Sequence, residues 1–262
     1  MSNLILPRLL CGVSVAGSLA MTASASTVIY ADDFNFSGAM HGRTPTTTTG
    51  GATWNTLVTT TTPNTDPWSG NGTSVNSSTD IRSAMLPFTP VDGYIYELSV
   101  KMSGASTATS SKWISVGFGL PDATTSGNFT SVAPNGGNGT MILRENGAYG
   151  SFTTRGGTNN ITGTPAAAVP SFTAGTFYDY KVVLDTSGAN WVTTYHLGGN
   201  QVASFTWSTD PSIGYVMLTS NTTSGSARFD DFLLTAQAVP EPASVALCGL
   251  AGMLALSRRR RG

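Results

Sequence analysis

Charge is scarce in this chain. Only 10% of its 262 residues are Asp, Glu, Lys or Arg, and the formal net charge is −1. A disordered polyelectrolyte needs the opposite balance, high net charge with few apolar groups. A pI near 6.1 leaves no basic footprint for nucleic acid. Glutamate occurs three times, as Glu97, Glu145 and Glu241, and histidine twice, as His41 and His196. Paired-carboxylate and imidazole chemistry therefore has few residues to draw on. Cysteine occurs at Cys11 and Cys248 alone. The residues that dominate long helices, Ala, Glu, Lys, Leu and Arg, give way to Thr, Ser, Asn and 30 Gly, which excludes a helical fold. What is present is a β-type composition with 13 Pro and 40% apolar residues, in a length that an all-β sandwich fills as one domain.

The two ends differ from the middle. At the N-terminus Arg8 precedes a largely apolar or small stretch from Leu9 to Met21, and Ala23-Ser24-Ala25 forms an A-x-A cleavage site. That order is a secretory signal peptide over residues 1–25, the alternative being a buried N-terminal helix. At the C-terminus Pro240-Glu241-Pro242 is followed by the apolar run Ala243 to Leu256 and by Arg258, Arg259, Arg260 and Arg261. Two prolines around one residue disfavour helix and keep the backbone extended, a shape a processing enzyme can grip. The apolar run spans about 21 Å as a helix, short of the roughly 30 Å hydrocarbon layer. Arginines extend its reach by snorkelling and hold that end in the cytoplasm. The folded part then lies outside the cytoplasmic membrane.

This three-part tail, residues 239–262, resembles the PEP-CTERM sorting signal of Gram-negative bacteria. The resemblance implies a short transmembrane helix and recognition by an exosortase, a membrane-embedded transpeptidase that processes near the Pro-Glu-Pro motif. It also implies export across the inner membrane to the cell surface or beyond, in a family associated with exopolysaccharide and biofilm.

Between the ends, residues 26–236 read as one β-domain. Both cysteines fall in the end segments, so no disulfide is available. The domain carries eight basic and thirteen acidic side chains, a formal −5, which repels phosphate backbones. Alternating strands are expected at 27–34, 53–58, 81–88, 94–102, 112–120, 139–144, 149–154, 177–185, 191–197, 201–207, 214–219 and 227–234. Hairpin links are expected at Asp185-Thr186-Ser187-Gly188 and Leu197-Gly198-Gly199-Asn200. A dozen antiparallel strands favour an all-β, two-sheet jelly-roll sandwich. The Asp32-Asp33-Phe34-Asn35, Gly42-Arg43-Thr44-Pro45 and Trp54 segment, with Tyr178 to Val182, Tyr195 to Val202 and Arg228 to Phe232, is similar to concanavalin A-like and laminin-G-like domains. That likeness implies carbohydrate binding and, in some relatives, hydrolysis.

The candidate sites are few. Neither Glu97 nor Glu145 sits in the Glu-x-Asp-x-x-Glu strand pattern of concanavalin-like glucanases, and Gly-x-Ser-x-Gly and His-Glu-x-x-His are absent. The expectation is a protein without catalysis. A Ca²⁺ site is the cofactor candidate, with Asp33 and Asp230 converging if the terminal strands run side by side; the alternative casts these acids as edge gatekeepers or turn caps. Trp68, with Asp66, is the candidate glycan contact because 63–70 reads as a loop; the alternative is packing. Trp113, Trp191 and Trp207, which alternate within strands, read as core. The function expected is a non-catalytic structural or adhesive component of the cell surface or matrix. A calcium-dependent carbohydrate-binding module and a polysaccharide hydrolase or lyase are the alternatives. The expected partners are the export machinery, the exosortase, the membrane before processing and extracellular polysaccharide.

Overall fold

A computed structural model describes residues 24–56, 68–77, 80–104, 113–119, 137–144, 152–153, 160–161, 175–207, 213–222 and 228–240. The segment Ala25–Val239 forms one compact unit. Its elements are all strands: β1 (Thr27–Asp32), β2 (Ser37–Ala39), β3 (Thr47–Thr48), β4 (Trp68–Asn71), β5 (Val75–Ser77), β6 (Asp80–Pro87), β7 (Tyr94–Ser103) and β8 (Trp113–Gly119). They continue as β9 (Gly137–Arg144), β10 (Phe152–Thr153), β11 (Asn160–Ile161), β12 (Tyr178–Asp185), β13 (Val192–Leu197), β14 (Asn200–Thr206), β15 (Tyr215–Thr222) and β16 (Arg228–Ala238). No helix among the described residues is long and apolar enough to cross a membrane.

The strands form two antiparallel sheets, and the all-β sandwich expected from alternation is the fold. The larger sheet runs β14-β13-β12-β7-β16-β5-β4-β2, with β1 paired to β16 and β3 to β1. The smaller runs β6-β15-β8-β9, and β10 pairs with β11 separately. Alternation explains the larger sheet directly. In β7 the side chains of Tyr96, Leu98, Val100 and Met102 turn inward, and Glu97, Ser99 and Lys101 turn out. The matching inward set is Tyr180, Val182 and Leu184 on β12, and Phe229, Phe232 and Leu234 on β16.

Three departures from the sequence expectation have physical causes. The smaller sheet is buried on both faces, so its strands do not alternate: Ala84, Leu86, Val216, Leu218, Ile114 and Val116 enter the core cluster, while Ser83, Met85, Ser115, Met217 and Thr219 are also buried. The expected strand at 53–58 reduces, within the described residues, to one bridge between Asn55 and Met85. Trp68, expected in a loop, opens β4, where Gly70 permits the close approach of Phe36: a Cβ at Gly70 would overlap the Phe36 carbonyl and ring. The β13–β14 link is the two-residue turn expected, with Gly198 and Gly199 at φ of +57° and +82°.

Polar bonds tie the sheets together. Tyr30 on β1 donates to the Pro87 carbonyl on β6 at 2.6 Å, and the hydroxyls of Ser77 on β5 and Ser220 on β15 are hydrogen-bonded in the interior. Both ends of the unit leave from one end of the larger sheet. Thr27 pairs with Ala236, and the amide of Val239 donates to the Gly93 carbonyl at 2.8 Å, the last such bond before Pro240.

Candidate functional site

The terminal strands do run side by side, and their junction is the most structured feature on the outer face of the larger sheet. β1 pairs with β16 from Thr27 opposite Ala236 to Asp32 opposite Phe232. On its other side β16 pairs with β7, Asp230 opposite Lys101 and Leu233 opposite Ser99. Asp231 and Phe232 thus stand across from Val100 alone, a bulge in β16. Asp231 has φ of +50°, and Phe34, just past the end of β1, has φ of +49°. Non-glycine residues rarely take this conformation unless their surroundings enforce it. Here the enforcement is visible. The two kinks turn Phe34 and Phe232 onto the buried Trp54, at ring-centroid distances of 5.9 and 5.1 Å, and leave Asp33 and Asp231 exposed.

Asp32 points inward. Its carboxylate accepts Trp54 Nε1–H at 2.7 Å and the Phe34 amide at 3.0 Å. Burial pushes its pKa above the ordinary carboxylate value, against the pull of those two hydrogen bonds. Asp33 is the reverse case. The Asn35 amide, the Asn35 side chain and the Thr46 hydroxyl donate to it and hold its pKa down. Asp231 Oδ2 lies 2.5 Å from Lys101 Nζ, and Asp179 stands opposite Lys101 on β12. Desolvation raises Asp230, and the charges of Asp231 and Asp33 add to that rise.

A groove of about 410 Å³ on this face is lined by Asp33, Thr46, Lys101, Asp179 and Asp231 among others, and Asp230 lies outside that lining. It places several carboxylates around one ammonium group in a lining that is otherwise mostly apolar. Asp33 and Asp230, the residues named for Ca²⁺, sit near enough for each other's charge to register. Among the described residues, no group of three or more His, Cys, Asp or Glu is arranged to hold a metal ion. Calcium takes 6–8 oxygens, so two carboxylates alone fall short.

Trp68 is fully buried, its ring 5.5 Å from that of Phe229. Neither face of the indole is open to a sugar ring, which corrects the expected glycan contact; packing prevails because β4 is a strand of the larger sheet rather than a loop. Trp207 is buried, and Trp191 is half-buried with its Nε1–H donated to Asp92 at 2.8 Å. Asp66, Ala23, Glu241, Pro242, Arg258, Arg259, Arg260, Arg261 and the expected transmembrane helix lie outside the described residues. Ala25 is exposed ahead of β1, and Pro240 is exposed directly after Val239.

The histidines serve the fold. His41 Nδ1 accepts the Thr56 amide at 3.4 Å, and His196 Nε2 is 3.0 Å from Thr194 Oγ1. Glu97 accepts a hydrogen bond from Lys181 at 3.3 Å on the outer face. The groove residues that sequence reasoning missed are Lys101 and Asp179. Both occupy outward positions of alternating strands, but only the β7–β12 register brings them together.

Residues 238–261 match the PEP-CTERM protein-sorting motif. No curated protein sequence matches the chain. Among solved structures, the endo-1,3-β-glucanase of Streptomyces sioyaensis superposes with a TM-score of 0.51 at 14% identity, over 82% of this chain and 97% of that one. The carbohydrate recognition domain of Emp47p gives 0.47 at 10% identity, over 80% and 98%. The SPRY domain of human HERC1 gives 0.41 at 13% identity, over 62% and 88%. The glucanase likeness shows a shared β-sandwich fold. The motif implies export, a membrane-anchored transit and processing by an exosortase. The chain is a jelly-roll-type β-sandwich protein that carries a PEP-CTERM sorting signal at its C-terminal end.

Proposed function

We propose that this protein is a non-catalytic structural or adhesive component of the cell surface or extracellular matrix, released or anchored there after exosortase processing and in contact with exopolysaccharide. The observation that carries the reading is the sorting motif at 238–261, which begins where the last strand ends. Further support comes from Glu97, paired with Lys181 rather than poised against a second acid. Retaining and inverting glycosidases place two carboxyl groups about 5–10 Å apart across the scissile bond.

Mass spectrometry of the protein recovered from its native host tests this. The expected species starts at Ser26 and ends near Pro240. A cytosolic protein with both ends intact overturns the reading, and reducing ends released from a polysaccharide panel replace it with a hydrolase.

A second reading, a calcium-assisted carbohydrate-binding module, is favoured by the approach of Asp33 to Asp230 at the β1–β16 junction. It expects Ca²⁺ to raise the Tm of the wild type and leave that of Asp230→Asn unchanged, by mass action on the folded state. An unchanged wild-type Tm in calcium and in chelator removes it.

A further inference from the structure

The sorting signal and the folded domain share residues. The motif match covers 238–261, whereas β16 runs from Arg228 to Ala238 and the Val239 amide donates to the Gly93 carbonyl at 2.8 Å. Ala238 and Val239 therefore belong to both. Their hold on the sheet can be followed rung by rung. Gln237 stands opposite Ile95 and Ala238 opposite Tyr94 on β7, and Ala236 is paired on two sides, with Tyr96 and with Thr27 of β1. Bonded and non-bonded pairs alternate along an antiparallel ladder, so Val239–Gly93 and Gln237–Ile95 are the bonded rungs and Ala238–Tyr94 lies between them.

The acceptor at Gly93 is itself held. Its amide donates to the Thr186 carbonyl at 3.0 Å, the Thr186 amide donates to the Tyr94 carbonyl at 2.8 Å, and the buried Thr186 hydroxyl lies 2.7 and 2.9 Å from the Val91 and Tyr94 carbonyls. Gly93 has φ of +84°, a conformation that glycine takes without steric cost. Beyond Val239 little free chain remains. Only Pro240, Glu241 and Pro242 precede the apolar run that begins at Ala243, at most about 14 Å of chain from Val239. Clefts that recognise extended peptides do so through the backbone groups of the segment. On the β7 side, those of Gln237 and Val239 are already taken.

We propose that the end of β16 is a latch on the sorting signal: Gln237, Ala238 and Val239 leave β7 before the processing enzyme takes the whole motif, and Gly93 is the positioning residue that holds them. The latch rests on the sorting reading of the tail. Its opening is conformational, precedes peptide-bond cleavage and leaves that step to the enzyme. Rungs at the end of a strand open locally, without global unfolding. The fold thus sets the pace of processing while the rest of the sandwich stays closed.

The test is the rate at which the full chain loses its tail in its native host, followed by pulse labelling and mass spectrometry. Gly93→Val forces a branched side chain into the left-handed region, where a Cβ meets nothing within 4 Å. It loosens the corner through the backbone alone, touches no residue of the motif, and is expected to speed processing about 10-fold. Inserting Gly-Ser-Ala-Val between Val239 and Pro240 leaves the fold its own rungs and gives the motif a free copy of its first two residues. That variant is expected to be processed at least as fast, and it decides the matter if Gly93→Val does not fold. Tyr30→Phe lowers global stability, spares these rungs and is expected to match wild type. Amide exchange of the full chain in detergent gives the second readout: the 237–239 amides exchange faster in Gly93→Val than in wild type, and those of β15 do not. Equal processing of wild type, Gly93→Val and the insertion overturns the latch. So does Tyr30→Phe processed as fast as Gly93→Val, or wild-type 237–239 amides that exchange as in a free peptide. A wild type that keeps its tail overturns the sorting reading together with the latch.

Discussion

Replacing Asp32 by alanine should cost the domain far more than removing one carboxylate from a surface. Asp32 is 6% exposed, and it is the acceptor for two buried donors, Trp54 Nε1–H and the Phe34 amide. Alanine leaves both unpaired, at about 1–3 kcal/mol each, while relieving the burial cost that raises the carboxyl's pKa. A net loss of about 3 kcal/mol follows, or about 6–12 °C in Tm for a domain of this size. Asp32→Asn retains one acceptor oxygen and should fall between the two. The pH dependence carries a sign. A carboxyl whose pKa is higher folded than unfolded makes the wild type gain stability as pH falls through the folded value. The variant lacks that gain, so the wild-type advantage over Asp32→Ala should be larger near pH 4 than at pH 7. Urea unfolding of residues 26–239, followed by tryptophan fluorescence and far-UV circular dichroism, measures both quantities. A variant within about 0.5 kcal/mol of wild type would refute the account of Trp54, Phe34 and Asp32 as one buried network, since that is the range of unremarkable surface changes.

Trp68→Ala should lower stability by about 3–5 kcal/mol, the range for emptying a large aromatic site, and any glycan retention should fall only with the unfolded fraction. Binding lost from a fully folded variant would restore Trp68 as a contact. Burial and the charge of Lys181 hold the His196 pKa below its ordinary value, so its contribution to stability is complete above about pH 6.5 and is lost on acidification through the folded pKa. His196→Gln should flatten the Tm profile between pH 5 and 8; an unchanged slope counts against it. Tyr30→Phe removes the bond to Pro87 and should cost about 1 kcal/mol in the same urea assay, with no loss pointing to water in the bond's place.

The fold was largely legible where one face of a strand meets water. The alternation of 94–102 and 178–185 marks β7 and β12, and the Gly-Gly pair marks the β13 turn. It failed to show two-sided burial. The strands expected at 81–88, 112–120 and 214–219 are present as β6, β8 and β15, yet Ser83, Ser115 and Thr219 are buried within the smaller sheet, with Ser83 and Thr219 bonded to each other at 3.2 Å. It failed again at β4, where a strand of four residues with two exposed positions carries no periodic signal and Trp68 looks like a loop residue. Side-by-side terminal strands, common in sandwiches of this type and the condition set for the aspartate site, are present. The bulge that divides Asp230 from Leu233 was not legible, because it depends on how Trp54 collects Phe34 and Phe232, contacts made across long stretches of sequence.

The placement of β16 has a mechanical consequence. It is an inner strand, held by nine register pairs to β7 and five to β1, and the sorting motif continues from its end. A pull applied at the C-terminal end of β16 and resisted at its other end would run along the strand. Such a load would shear both ladders at once rather than peel them rung by rung.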